Sequence, residues 1–180
     1  MVYVLLGTGF EEVEAIAPVD LMRRAGIEVL TVGVTGKMVY GGHNICITAD
    51  IMLEEMDLSR LDMIVLPGGL GSVAAARANQ EALDALKFAF DNDKFVAAIC
   101  AAPTVLADLG ITDGKNVTYY PGFENEMTRA ATAENVPCVR DGKVITGTSA
   151  GCAIPFALAL IEALKGKEAA DAVAKQIVIR

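Results

Sequence analysis

The sequence predicts an α/β protein built in three layers, with helices on both faces of a mostly parallel sheet. Short apolar runs typical of strands alternate along the chain with segments of helical periodicity, the pattern of parallel sheets. The runs near 28–32, 62–66 and 95–99 are almost continuously apolar, as expected of strands covered on both faces. A chain of 180 residues with 53% hydrophobic content can bury one substantial core, so we expect a single domain over residues 1–180.

Periodicity and turn residues give approximate bounds for each element. Strands are predicted, in chain order, at residues 2–6, 27–33, 62–66, 95–99 and 143–146. Helices are predicted at residues 11–25, 80–92, 102–109, 150–165 and 167–175. Residues 38–48 predict a β-hairpin that turns at Gly41-Gly42, an antiparallel excursion from the main sheet.

The first helix carries the most local detail. Its periodicity places five apolar side chains toward the core, those of Val13, Ile16, Ala17, Val19 and Leu21. The helix ends at Arg23-Arg24-Ala25-Gly26, basic residues followed by a glycine, as helices commonly end. Because Pro18 lies inside the pattern, we expect either a kink there or a helix that begins later.

Composition argues against several classes of partner. A formal net charge of −8 and the lack of a basic run argue against nucleic acid or an anionic membrane. The first apolar run is short and lacks a charged leader, so it predicts neither a signal peptide nor a membrane span, and we expect a cytoplasmic protein. Four cysteines without CxxC spacing and a single histidine, His43, argue against a metal site.

The first loop is similar to a dinucleotide-binding turn but departs from it at the third glycine. Gly7 and Gly9 follow a predicted strand and precede a helix, as in that fingerprint. Glu12 stands where the third glycine belongs, and Glu11 and Glu14 add further negative charge at the helix end that would have to accept a pyrophosphate. We therefore expect no dinucleotide cofactor. These carboxylates stabilise a helix start, and one of them can face inward for acid chemistry.

Two further loops follow predicted strands, where open α/β sheets bind ligands. Gly68-Gly69 offers bare backbone, which either presents N–H groups to a developing negative charge or only allows a tight turn. The strand at 95–99 stops at Cys100 and enters a helix through small residues, the layout of a nucleophile elbow. A cysteine at a helix N-terminus gains thiolate character, so Cys100 is a candidate nucleophile.

The remaining candidate nucleophiles have weaker settings. Residues 147–151 match G-x-S-x-G, but the elbow order requires a histidine after Ser149, whereas His43 precedes it. We expect Ser149 to line a pocket or cap a helix. Cys46 and Cys138 are predicted to be structural, and Cys152 is a possible secondary thiol without an identified partner.

Four stretches carry a resemblance to a known family: GFEEVEAIAPVDLMRRAGIEV, DMIVLPGG, AAICAAPTVLADLGITDGK and PFALALIEALKGKEAA. In order and spacing, over nearly the whole chain, they resemble the DJ-one/ThiJ/PfpI superfamily, in the branch of the Parkinson disease protein deglycase. The resemblance implies a flavodoxin-like sandwich, a homodimer, and an elbow cysteine hydrogen-bonded to a glutamate of the first helix. The matching residues are Cys100 and Glu14, which leaves Glu11 and Glu12 on or near the surface.

The resemblance also implies cofactor-independent chemistry on 2-oxoaldehydes such as methylglyoxal. Cys100 would add to the aldehyde, and N–H groups near Gly69 and Ala101, beside Gly68, would hold the oxyanion. A base would then move a proton between adjacent carbons, and hydrolysis would give lactate. Repair of glycated protein side chains is ascribed to the same site. A protonated Glu14 would donate to the sulfur, favouring a thiolate and stabilising a sulfinate after oxidation.

One position departs from the family pattern. Many relatives have a histidine before the proline at 121, whereas this sequence has Tyr120, and a phenol is a weaker general base than imidazole at neutral pH. Either Glu14 carries all the proton transfers, or turnover is slow and the thiol mainly senses oxidation. The alternative function is therefore a non-enzymatic oxidative-stress sensor or chaperone. Thiamine biosynthesis has no support in the residues, and proteolysis would also need a histidine beside the cysteine.

Overall fold

The computed structural model describes residues 1–179 and contains a central seven-stranded sheet in the order β10-β11-β7-β6-β1-β2-β5. All pairs in this sheet are parallel except β10 with β11. The strands are β1 (Val2–Leu6), β2 (Val29–Gly33), β3 (Met38–Tyr40), β4 (Cys46–Thr48), β5 (Ile51–Met52), β6 (Met63–Leu66), β7 (Phe95–Ile99), β8 (Asn116–Val117), β9 (Ala131–Thr132), β10 (Cys138–Asp141) and β11 (Val144–Gly147). The helices are α1 (Glu12–Arg24), α2 (Leu70–Ala78), α3 (Gln80–Asp91), α4 (Pro103–Asp108), α5 (Ala153–Lys165) and α6 (Lys167–Gln176).

The core lies in two halves, one on each face of the sheet. In β1, Val2, Val4 and Leu6 pack on the side of α1, α5 and α6, whereas Tyr3 and Leu5 pack on the side of α2, α3 and α4. Each strand buries both faces because successive side chains point to opposite sides. The predicted three-layer α/β/α sandwich with a mostly parallel sheet is therefore confirmed.

The predicted hairpin is also confirmed. β3 and β4 pair antiparallel as a separate two-stranded sheet, with Tyr40 opposite Cys46. The turn extends over residues 41–45, wider than the predicted Gly41-Gly42, and Asn44 takes a positive φ of 65°. Cys46 is exposed on this hairpin.

Five elements were not predicted, namely α2 and the short strands β5, β8, β9 and β10. α2 begins directly after Gly69, and its glycine-rich start is typical of a loop. A Cβ on Gly71 would lie 2.6 Å from the Thr8 carbonyl oxygen, so the close approach of α2 to the loop after β1 requires glycine there. β10 joins the edge of the sheet through the turn at Gly142, where φ is 62°. A short edge strand with mixed polarity carries too little periodicity to be recognised.

The side chains that α1 exposes and buries differ from those predicted for this helix. Val13 and Ile16, expected in the core, are 51% and 41% exposed, while Glu12 is only 6% exposed. Glu12 is buried because its carboxylate is bonded to the hairpin, which leaves the apolar side chains on the outside. Pro18 lies inside a helix that runs from residue 12 to residue 24, so the predicted later start is wrong.

Among residues 1–179, no helix has the length and apolar character needed to cross a membrane.

Candidate active site

The loops that follow β1, β6, β7 and β11 lie at the same edge of the sheet because these strands are parallel. This edge holds the carboxyl ends of the strands, where ligands bind in open α/β sheets. It brings the N-terminus of α1, the turn at Gly68 and Gly69, and Cys100 together. Residues separated by more than fifty positions in the chain thus form one site.

Cys100 occupies a strained turn between β7 and α4. Its φ is +66°, a left-handed conformation that non-glycine residues adopt at a cost of about 1–3 kcal/mol. The Cys100 N–H donates to the Gly147 carbonyl oxygen at 3.0 Å, and its carbonyl oxygen accepts from the Tyr120 N–H at 2.9 Å. Ala98 and Ala102 on either side are fully buried. These contacts and small neighbours hold the thiol in a nucleophile-elbow geometry.

Glu14 is the inward-facing acid of α1, with no exposed surface. Its Oε2 accepts a hydrogen bond from the Gly68 N–H at 2.9 Å, and its backbone N–H donates to the N-cap residue Glu11. Oε1 is buried and accepts no conventional hydrogen bond from residues 1–179. The carboxyl group lies against the Cys100 thiol. Oε1 is thus free to take the proton of that thiol.

Cys100 and Glu14 shift each other's proton affinity. Burial raises the pKa of Glu14 to about 7, while the adjacent Cys100 thiol and the Gly68 N–H oppose this rise. Burial, and then the charge of Glu14, raises the pKa of Cys100 to about 12. The raised pKa of Glu14 agrees with expectation, whereas the raised pKa of Cys100 disfavours the resting thiolate that the resemblance implies. The thiol keeps its proton while Glu14 is ionised, and a thiolate forms when that proton passes to Glu14.

The buried carboxyl makes folding stability depend on pH. Because the pKa of Glu14 is about 7 in the folded protein against 4.5 ordinarily, the native state binds the extra proton between these values, and stability falls as pH rises through this window. We expect the wild type to lose about 2.5 kcal/mol relative to Glu14→Gln between about pH 5 and about pH 8. Urea unfolding of both proteins at both pH values measures this, and a constant difference would contradict it.

Gly68 lets Glu14 and Cys100 approach each other. A Cβ at this position would lie 2.3 Å from Glu14 Oε2 and 2.7 Å from Cys100 Cβ. We expect Gly68→Ala to displace the carboxyl and lower turnover about a hundredfold, since small misplacements of reacting groups have effects of this size. Gly151→Ala is the matched control because only the Ser149 hydroxyl, 3.9 Å away, is near the added methyl. Equal turnover of the two variants would refute the role given to Gly68.

The two predicted oxyanion donors, the N–H groups of Ala101 and Gly69, have different surroundings. The Ala101 N–H points to the Cys100 sulfur. The Gly69 N–H donates no hydrogen bond within residues 1–179, and Gly69 takes a φ of +91° at the start of α2. A Cβ there would lie 2.2 Å from the Gly9 carbonyl oxygen, so only glycine fits. The Ala101 N–H can donate to a negative charge that develops near the sulfur, and the role of the Gly69 N–H stays a prediction.

Tyr120 reaches the site through its backbone. Its N–H is bonded to Cys100, while its side chain is 48% exposed. The acids beyond it, Glu124 and Glu126, are exposed, and Glu126 pairs with Arg77 at 2.7 Å. Glu14, by contrast, is an acid buried against the thiol.

Glu12 and His43 form a hydrogen-bonded pair that was not predicted from the sequence. Glu12 Oε1 accepts from the His43 N–H at 2.7 Å, and Oε2 lies 2.9 Å from its Nδ1. Although burial opposes the shift, the bonds from His43 hold the pKa of Glu12 below its ordinary value. The expectation that Glu12 lies near the surface is wrong, because this pair ties α1 to the hairpin. No sequence spacing signals a contact between residues so far apart.

The same pair belongs to the cluster best suited to a metal ion. Glu11, Glu12 and His43 place one ligand atom each within 4.8 Å of one another. Both oxygens of Glu12 are already bonded to His43, and Glu11 caps α1 by accepting the Glu14 N–H at 3.0 Å. A cation would have to displace these bonds, so we assign the cluster a structural role.

Ser149 lies apart from any base. Its hydroxyl donates to the Cys152 sulfur at 3.9 Å and makes no capping bond to the following turn. His43 is bonded to Glu12 on the hairpin. The G-x-S-x-G match at 147–151 therefore lacks the partners of a serine hydrolase.

Known proteins are similar to this chain in sequence and in fold. The chain matches the DJ-1/PfpI family over residues 1–163. Protein dj-1beta of Drosophila melanogaster is 37% identical over 178 residues, 98% of this chain and 95% of that protein. The crystal structure of Drosophila melanogaster DJ-1beta has a TM-score of 0.94 and covers 99% of this chain and 97% of its own.

Two further relatives differ in what their names report. The structure of oxidized Toxoplasma gondii DJ-1 has a TM-score of 0.91 at 31% identity, covering 98% of this chain and 97% of its own. A protein of Pyrococcus abyssi named as a deglycase is 33% identical over 129 residues, 72% of this chain and 77% of that protein. Sequence and fold agree over nearly the whole chain, and this chain therefore belongs to the DJ-1/PfpI family.

Proposed function

We propose that the protein is a cofactor-independent glyoxalase or deglycase-like enzyme that acts on reactive 2-oxoaldehydes such as methylglyoxal in the cytoplasm. The observation that carries this proposal is the Cys100 thiol on a strained turn with the buried Glu14 carboxyl against it. The family membership and the deglycase-named relative support it. A nucleophile beside a base whose pKa is about 7 is suited to proton transfer at neutral pH.

In the first step the Cys100 sulfur attacks the aldehyde carbon. Glu14 takes the thiol proton, the carbonyl π bond breaks, and its oxygen gains the electron pair and then the proton from Glu14, giving a hemithioacetal and restoring the Glu14 carboxylate. The N–H groups of Gly69 and Ala101 stabilise the oxyanion as it forms. The strained backbone at Cys100 keeps the sulfur exposed to the substrate.

In the second step a proton moves from the first carbon of the hemithioacetal to the adjacent carbonyl carbon. Glu14, as carboxylate, removes the C–H proton to give an enediol and returns it to the adjacent carbon, while the hydroxyl proton of the first carbon passes to the oxygen of the second, and the product is a lactoyl thioester on Cys100. Water hydrolyses the thioester, which releases lactate and restores the thiol. The sum is one methylglyoxal plus one water giving one lactate, so neither a redox cofactor nor a metal is required by the balance. A glycated side chain would be repaired by the same attack on its hemiacetal or hemiaminal carbon.

Lactate formation tests this proposal. Reduced, dialysed and metal-free protein is incubated with methylglyoxal, and enzymatic turnover should give lactate in proportion to protein concentration. No lactate above a protein-free control would overturn the proposal for this substrate. Lactate from Tyr120→His under the same conditions would then identify Tyr120 as the cause of the inactivity.

A redox-sensing role is the second candidate, supported by the same thiol. Cys100 is half-buried, so a small peroxide can reach it. Oxidation to a sulfinate would place two oxygens beside Glu14, whose protonated form can donate to them. The oxidized Toxoplasma gondii relative is consistent with this chemistry. Rapid peroxide oxidation of Cys100 without methylglyoxal turnover would favour the sensor over the enzyme.

We also propose that the protein is a homodimer that buries the outer face of α1. Exposed apolar side chains from α1, the hairpin turn, the start of α5 and the C-terminal segment line one groove, namely Val13, Ile16, Ile45, Ile154, Val178 and Ile179. A continuous apolar face of this kind marks an interaction surface. Residues of a helix that pack on a partner keep their apolar character while lying outside the monomer core.

Charge substitution in this groove should give a monomer. Replacing Ile16 by glutamate puts a charge at the centre of the face, and burying it against a second copy would be strongly unfavourable. We expect Ile16→Glu to sediment as a monomer at concentrations where the wild type is a dimer. Met38→Glu, 59% exposed on β3 outside the groove, is the control and should remain dimeric. A monomeric wild type would refute the proposed dimer.

A further inference from the structure

Two cysteines outside the Cys100 site approach the same interface from different elements. Cys138 in β10 lies directly opposite Gly147 in β11, and opposed residues of an antiparallel pair project from the same face of the sheet. A Cβ on Gly147 would lie 3.0 Å from the Phe156 ring, so this face looks onto α5. The Cys138 side chain is accordingly packed against the core cluster that contains Phe156.

Cys152 reaches this interface from the start of α5. It is the N-cap residue of that helix and precedes Phe156 by four positions, so it lies one turn away on the same face. The intervening turn is compact, because the Thr148 N–H donates to the Pro137 carbonyl oxygen at 3.1 Å and the Cys152 N–H to that of Ser149 at 2.8 Å. Burial is the main cause that raises the pKa of Cys138, and the charge of Cys152 is the second cause, as expected for two neighbouring thiols.

We propose that Cys138 and Cys152 form a second redox site, in which a peroxide converts the two thiols reversibly into a disulfide between β10 and α5. The Cys152 sulfur attacks one peroxide oxygen, the O–O bond breaks, and a sulfenic acid and water result. The Cys138 sulfur then attacks the Cys152 sulfur, the S–O bond breaks, and a second water leaves with the thiol proton. Both thiols are oxidised by one electron each, and hydrogen peroxide is reduced to two waters.

The assignment of roles follows from burial. Burial disfavours ionisation of Cys138, so Cys152 reacts with the oxidant and Cys138 resolves the sulfenic acid. Both side chains are half-buried, which leaves room for a small peroxide.

The disulfide would fix the 148–152 turn, which directly follows the Gly147 carbonyl that holds Cys100. Oxidation at this site would therefore stiffen the segment beside the Cys100 loop. Reversible disulfides in a reducing compartment typically serve redox sensing.

Peptide mass spectrometry tests the proposal in the full chain. Reduced wild-type and Cys100→Ser proteins are treated with one equivalent of hydrogen peroxide, remaining thiols are alkylated, and trypsin is added. Cys138 and Cys152 lie in separate tryptic peptides, residues 130–140 and 144–165. We expect these two peptides joined by a disulfide as the main cross-linked product in both proteins, and separated again by dithiothreitol.

The controls distinguish this site from the other thiols. Cys46→Ser should keep the linked peptides, whereas Cys138→Ser and Cys152→Ser should lose them. Alkylated Cys138 beside over-oxidised Cys152 in the peroxide-treated wild type would overturn the proposal, and this result needs no variant to fold. Because the readout is a cross-link, its failure is independent of lactate formation and leaves the proposed enzymatic function untouched.

Discussion

Cys100→Ser is expected to form lactate from methylglyoxal at less than about one thousandth of the wild-type rate, because an alcohol is a far weaker nucleophile than a thiol and its proton is harder to remove. The serine keeps the shape of the side chain, so the turn at φ +66° and its bonds to Gly147 and Tyr120 should persist. Lactate is measured at saturating and limiting methylglyoxal, with thermal unfolding recorded to show that the variant is folded.

Cys46→Ser is the matched control for this result. Cys46 is exposed on the hairpin, so its substitution should leave the rate unchanged. Equal rates for wild type and Cys100→Ser would assign the chemistry to another group or to uncatalysed breakdown of the aldehyde. Loss of lactate in both serine variants would point to general thiol chemistry instead of a single nucleophile.

Glu14→Gln should lower turnover by about a hundredfold to ten-thousandfold, the range that a positioned general base contributes. The amide keeps the volume of the side chain and its contact with the Gly68 N–H, but it cannot accept the thiol proton. Unlike Cys100→Ser, Glu14→Gln retains the thiol, so its slow attack on methylglyoxal should remain detectable.

The pH dependence of the rate tests whether Glu14 acts as a base. Because the pKa of Glu14 is raised to about 7 and the ionised form is the base, the wild-type rate should rise as pH passes through 7 and then level off. Glu14→Gln should lack this rise, and Glu124→Gln, which alters an exposed carboxylate, should keep it. A wild-type rate that falls through the same range would show that Glu14 acts as an acid.

Patterns among neighbouring residues predicted the order of the strands and helices and the candidate nucleophile. The predicted strand at 95–99 coincides with β7, because an apolar run bounded by a polar residue and a small-residue turn is complete within a few positions. The elbow at Cys100 was recognisable for the same reason, since small flanking residues and Pro103 are sequence neighbours. The main departures, the buried Glu12 and the exposed Val13 and Ile16, arise where a helix face meets groups from distant parts of the chain.

The sequence by itself determined the three-layer α/β order and the strand that ends at Cys100, because periodicity and turn chemistry act between neighbouring residues. The family resemblance rests on four stretches of the sequence itself. Only the tertiary structure decided how deeply Glu14 is buried against the thiol, that Glu12 pairs with His43, and that Cys138 faces the start of α5. The physical reason is desolvation and close contact between groups distant in sequence. Desolvation and these contacts determine which groups are protonated and which sulfur atoms lie close together, and no pattern of neighbouring residues predicts them.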